Sequence, residues 1–76
     1  MNLKEAVTVA KQQVSDLFAR DAPQNLRLEQ FLYDDHLGIW SLTIGFSPSG
    51  GGEKARSYKI VRVSEADKSI LSVSDR

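Results

Sequence analysis

The chain has 76 residues, ten basic and ten acidic side chains, and no cysteine. That length suits one domain, which buries only about 60% of its unfolded surface and has little room for a large enclosed active site. The zero net charge argues against a general nucleic-acid binder, the missing cysteines exclude disulfides and thiolate metal sites, and no apolar run is long enough to span a membrane.

Leu3, Ala6, Val7, Ala10, Val14, Leu17 and Phe18 recur at three- and four-residue steps. That spacing gathers them on one side of a helix, predicted over residues 3–20. Asn2 is a good N-cap residue, and Glu5 sits three positions later, as a capping box requires. Asp16 and Arg20 are four apart and are expected to pair. Asp21-Ala22-Pro23 ends the helix, because the residue before a proline avoids helical geometry. The opening residues lack the apolar core of a secretory signal, so a cytoplasmic location is the expectation.

A first strand is read over Leu26 to Tyr33. Its alternation slips: Leu26 and Leu28 fall on one face, Phe31 and Tyr33 on the other, which fits a bulge or a strong twist. Asp34-Asp35-His36-Leu37-Gly38 is a turn. The second strand, Ile39–Phe46, has the clearest pattern in the chain. Trp40, Leu42, Ile44 and Phe46 alternate with Ser41, Thr43 and Gly45, giving one oily face. The stretch Ser47 to Lys54 contains a proline and three consecutive glycines and is expected to be a mobile hairpin tip. Arg56 to Val63 forms a third strand, with Tyr58 and Ile60 on one face and Val61 and Val63 on the other. After a polar turn at Ser64–Lys68, Ile70–Val73 closes the pattern before a polar tail. The fold class is therefore α+β: one N-terminal helix packed on a four-stranded antiparallel meander sheet, resting on Trp40, Leu42, Ile44 and Phe46.

Three features of this layout resemble the PepSY class of small domains. The helix opens Leu3-Lys4-Glu5-Ala6-Val7-Thr8-Val9-Ala10, similar to that class's Glu-Ala start. The middle hairpin centres on the aromatic strand Trp40-Ser41-Leu42-Thr43-Ile44. The end, Tyr58-Lys59-Ile60-Val61-Arg62-Val63 followed by Ile70-Leu71-Ser72-Val73, resembles the class's closing hairpin, although the turn between lacks the usual Thr-Gly. The chain also resembles small uncharacterised bacterial proteins of the same layout. The resemblance implies a non-catalytic binding or regulatory module.

Candidate sites are few. Asp34, Asp35 and His36 are the densest titratable cluster and could bind a divalent metal or small ligand, although these are also ordinary turn residues. The Gly50-Gly51-Gly52-Glu53-Lys54 run lacks the spacing, the Ser/Thr and the following helix of a phosphate-binding loop. Arg27, Lys54, Arg56, Lys59 and Arg62 with Tyr33 and Tyr58 could make a basic, aromatic sheet surface for single strands; the balanced charge opposes that, so no nucleic-acid partner is expected. No nucleophile has a local base, so an enzyme is not expected, and no cofactor is implied. The remaining candidate is a second apolar face, away from the helix, formed by Phe31, Tyr33, Ile39, Val61 and Val63. One helix cannot cover both sides of a sheet, so this face or an edge strand is expected to bind a protein partner, most simply a second copy in a homodimer.

Overall fold

A computed structural model describes residues 1–48 and 56–76. The elements run α1 (Leu3–Leu17), a short 3-10 turn (Ala19–Asp21), β1 (Gln24–Asp34), β2 (Ile39–Ser47), β3 (Ser57–Ser64) and β4 (Ile70–Asp75). The four strands form one antiparallel sheet in the order β1-β2-β3-β4, and α1 lies over β2 and β3. The expected α+β meander is present. The glycine-rich segment read as a hairpin tip falls, beyond Pro48, outside the described residues.

The capping box forms as the sequence predicts. Glu5 N donates to Asn2 Oδ1 at 2.9 Å, and Asn2 N donates to Glu5 Oε1 at 3.2 Å. The helix ends three residues early. Phe18 leaves helical geometry at φ −110°, ψ 28°, and its ring stacks on Phe46 at 5.6 Å. Arg20 thereby falls outside the regular helix, and Asp16 accepts a hydrogen bond from Gln12 Nε2 at 2.9 Å instead of meeting Arg20. The fully buried stripe is Ala6, Ala10 and Val14, one residue per turn. Small side chains at the centre let the helix sit close on the sheet. Leu3, Val7 and Phe18 flank them, whereas Leu17, also predicted inward, is 54% exposed.

The core lies between α1 and the strands beneath it. Trp40, Leu42, Ile44 and Phe46 of β2 are buried, as expected, and so are Val61 and Val63 of β3. Each large side chain removed from water contributes about 1.5–3 kcal/mol before the entropy of ordering the chain is subtracted. Fifteen helical residues span about 22 Å, close to the length of seven strand residues. Phe18 therefore meets Phe46 at one end, while Met1 reaches the Trp40 end through Glu65.

Strand register corrects the expected faces. Val61 pairs with Leu42 and Val63 with Trp40. Directly opposed residues share a face, so both valines point to the helix, and both are fully buried. Phe31 pairs with Leu42 and Tyr33 with Trp40, so these two aromatics also lie on the helix side. Of the five residues expected on the far face, only Ile39 is there, opposed to Asp34 and Ser64. For the valines the reason is the β2–β3 register; for Phe31 and Tyr33 it is the bulge in β1. Leu28 pairs with Ile44 and Gln30 with Thr43, so Glu29 is an extra residue. One inserted residue reverses the phase, and Leu28, Phe31 and Tyr33 come to share one face despite their odd spacing.

Candidate interaction edge

Because α1 lies mainly over β2 and β3, the exit half of β1 is left uncovered on the helix side, while Leu26 and Leu28 of its entry half pack against the core. Phe31 is 50% exposed and Tyr33 40%, although their neighbour Trp40 is only 9% exposed. The three rings form one patch: Tyr33 lies 4.7 Å and Phe31 6.5 Å from the indole, both tilted. Between Phe31 and Tyr33, Leu32 points to the other face and is 65% exposed. Residues 30–34 of β1 pair with β2 without a break, whereas both register shifts of the strand lie between Gln24 and Gln30. The regular half is also the half without charge until Asp34. A long, regular, apolar edge is a template for another strand, and proteins usually blunt such edges with charges, prolines or bulges. Here those devices lie in the entry half, in Arg27, Glu29 and the two bulges, and at the last residue, Asp34.

The aromatic patch is anchored from beneath. Glu65, just after β3, accepts hydrogen bonds from the Met1 ammonium group at 2.7 Å and from the Trp40 indole N–H. The Met1 ammonium and then the indole hold its carboxyl below the usual carboxylate range. Glu65 N also donates to Gly38 O at 2.8 Å, which ties the β1–β2 turn to the β3–β4 turn. Next door, Lys68 Nζ donates to Glu5 Oε2 at 3.0 Å, and Lys68 and the Asn2 backbone lower the Glu5 carboxyl. The role of Glu65 was not legible in the sequence, where it sits in a polar turn like any other acid.

The face away from the helix is polar rather than apolar. Its middle carries Ser41, Thr43, Gly45 and Ser47, with Leu32 and Ile60 as apolar neighbours and Arg62 beside them. An open groove of about 200 Å³ runs there, lined by Gln30, Leu32, Ser41, Thr43, Ile60 and Arg62 among others. Farther along, Arg56 folds over Gly45. Its side chain is 5% exposed, its guanidinium donates to Ser47 Oγ at 3.2 Å and to Asn25 O at 3.1 Å, and it lies 3.7 Å from Glu29.

The other candidates do not converge. Asp34 Oδ1 accepts from His36 N at 3.0 Å and Leu37 N at 3.1 Å, and Gly38 N donates to Asp34 O. The carboxylate thus builds the turn, with Gly38 in the left-handed region at φ 65° that a glycine adopts freely. No group of three or more His, Asp or Glu able to hold a metal occurs among the described residues. The basic residues scatter. Lys54 is outside the described residues, Arg56 is committed as above, Lys59 pairs with Asp75 on the helix side near the Phe18 ring, and Arg62 lies on the open face with Ser72. Tyr58 packs under the Arg76 guanidinium on that same face, far in register from Tyr33. Among the described residues no helix is long and apolar enough to cross a membrane. The chain matches no protein-family model, no curated protein and no solved structure.

Proposed function

We propose that this chain is a small non-catalytic protein-interaction module whose contact element is the outer strand β1. The observation that carries the reading is the continuous exposure of Phe31, Leu32 and Tyr33 on a bulge-free stretch of edge strand. Such an edge offers main-chain hydrogen bonds for affinity and alternating side chains for specificity, the mode by which extended segments add to a sheet. The resemblance to PepSY-class modules, which bind rather than catalyse, is part of the same proposal. Of the residues first singled out, Phe31 and Tyr33 stay in the contact surface. Val61 and Val63 leave it because they are fully buried. Ile39 is half-buried beside the turn and plays at most a marginal part. The metal-binding alternative is not retained, since Asp34 is already occupied by the turn's backbone N–H groups.

Selection of displayed random peptides on the native chain, with counter-selection on Leu32→Lys, tests the reading. Leu32 is exposed, so the variant keeps its fold while the edge gains a charge. Binders lost on the variant are the expected result. A library that yields no edge-dependent binder overturns the proposal.

A further inference from the structure

We infer that the segment received by β1 is β1 of a second copy, paired antiparallel about a two-fold axis through Leu32. The inference rests on the edge-binding reading above and names its partner. The strand is self-complementary in one register only. With the axis at Leu32, Phe31 opposes the second copy's Tyr33, Leu32 opposes its equivalent, and Gln30 opposes Asp34. Every pair then joins residues of one face: Phe31 and Tyr33 lie on the helix side, and Gln30, Leu32 and Asp34 on the other. Aromatic and aliphatic cross-strand pairs of this kind are favourable, and the amide of Gln30 can donate to Asp34 Oδ2, since the turn's N–H groups donate to Oδ1.

Neighbouring registers fail on the same facts. Centring on Gln30 sets Leu32, on the open face, against Leu28, on the helix face. Centring on Phe31 sets Tyr33 against Glu29, the bulged residue. Centring between Gln30 and Phe31 pairs Arg27 with Asp34 but sets Phe31 against Gln30, on the opposite face, and Leu32 against the bulged Glu29. Centring on Tyr33 brings Leu32 against Asp34 and Phe31 against Asp35. Only the Leu32 register uses the regular stretch alone and leaves both bulges outside it.

The helices do not obstruct this arrangement. Each lies over β2 and β3, about one and a half strand spacings inside the edge. Across the joint the helix axes are then about 19 Å apart on one face of the combined sheet, against a helix diameter of about 10–12 Å. The balanced charge of the chain adds no long-range self-repulsion. A joint of residues 30–34 is only about 17 Å long, so it falls below the ~1,200 Å² of stable complexes, and the pair forms weakly and with concentration.

The absence of native cysteine makes the register directly measurable. Opposed Cα atoms in an antiparallel pair are about 4.5–5.5 Å apart, within disulfide range. Leu32→Cys is expected to form an intermolecular disulfide about tenfold faster than Leu37→Cys, a site that is 69% exposed but outside the joint. Gln30→Cys mixed with Asp34→Cys is expected to give the mixed dimer in preference to either self-dimer. Sedimentation of the native chain toward millimolar concentration is expected to show a rising mass that Leu32→Lys abolishes. A strict monomer, or Leu32→Cys that cross-links no faster than Leu37→Cys, overturns self-pairing. Edge-dependent peptides selected in the same circumstances show that the edge still binds another chain, whereas failure of both experiments removes the edge reading as well.

Discussion

The strands β1 and β2 both set large apolar side chains on the helix face and meet opposite fates. Trp40, Leu42, Ile44 and Phe46 are at most 9% exposed, whereas Phe31 and Tyr33, their cross-strand neighbours on the same face, are half in solvent. The charges of β1, Arg27, Glu29 and Asp34, flank Phe31 and Tyr33 without explaining their exposure; the width of the helix does. One helix about 10 Å across covers roughly two strands spaced 4.8 Å apart, and in this fold those are β2 and β3. Leu26 and Leu28 of β1 still reach the core, but Phe31 and Tyr33 are left over for another molecule.

The widest separation between the two strands should appear in truncations. Trp40→Ala is expected to lower stability by about 3–5 kcal/mol, since it empties a buried site and leaves Glu65 without its indole donor. Leu42→Ala, fully buried, should cost about 2–5 kcal/mol. Leu32→Ala, measured dilute, should stay within about 0.5 kcal/mol. Urea denaturation midpoints give the comparison, and a Leu32→Ala loss as large as that of Leu42→Ala would break it.

A smaller effect tests the open face, where β2 is buried by polar groups instead of a helix. A Cβ added at Gly45 would lie 2.8 Å from Glu29 Oε1 and 2.9 Å from a terminal nitrogen of Arg56. Glu29 is partly exposed and can swing away, but Arg56 is held by Ser47 and Asn25. Gly45→Ala is therefore expected to cost about 1–3 kcal/mol, the usual range for overpacking. In the Arg56→Ala background the loss should shrink, and a cycle of the single and double variants measures that coupling. Additive losses would show that Arg56 is not the obstacle.

The acids at the anchored end give a pH signature. Glu65, Glu5 and Asp67 all have carboxyls lowered in the folded chain, Glu65 by Met1 and Trp40, Glu5 by Lys68, and Asp67 by the Ser69 hydroxyl and N–H. Between the lowered folded values and the ordinary value of 4.5 for Glu or 3.8 for Asp, the unfolded chain binds more protons. Their stabilisation is therefore present above the ordinary values and is lost as pH falls through the folded ones. Glu65→Gln should flatten the fall of the denaturation midpoint in that window, and an unchanged slope would show that the anchor carries none of it.

The sequence shows the elements more clearly than their faces. The capping box at Asn2 and Glu5, the period-two pattern of β2 and the turn at Gly38 are all local, set by residues within a few positions, and all appear as read. The slip in β1 was visible too, but its consequence was not. Whether Glu29 bulges, and so whether Phe31 and Tyr33 join Leu28 or oppose it, depends on pairing with Ile44 and Thr43. The placement of Val61 and Val63 likewise depends on cross-strand register with Leu42 and Trp40. The candidate site was thus half legible: the exposed aromatics and an edge strand could be named, but not that β1 is the edge that unites them with Leu32.

The two halves of β1 differ in backbone as well as in side chains, and the entry half contains the smallest testable effect. The chain reaches β1 through Ala22 at φ 45° and Asn25 at φ 55°, both left-handed. Asn tolerates that region, whereas Ala has a Cβ that crowds the following carbonyl and no side-chain hydrogen bond in return. Ala22 is exposed and its N–H caps the 3-10 turn by donating to Ala19 O at 3.0 Å, a bond that glycine can also make. Ala22→Gly relieves about 1 kcal/mol of strain and loses about 0.5–1 kcal/mol through the freer unfolded chain. The expected net gain is a few tenths of a kcal/mol in the urea midpoint, opposite in sign to the loss of about 0.5–1 kcal/mol that the same substitution causes inside a helix. A clear loss on Ala22→Gly would show that the irregular entry is unstrained, and that the contrast between the two halves of β1 lies in their side chains alone.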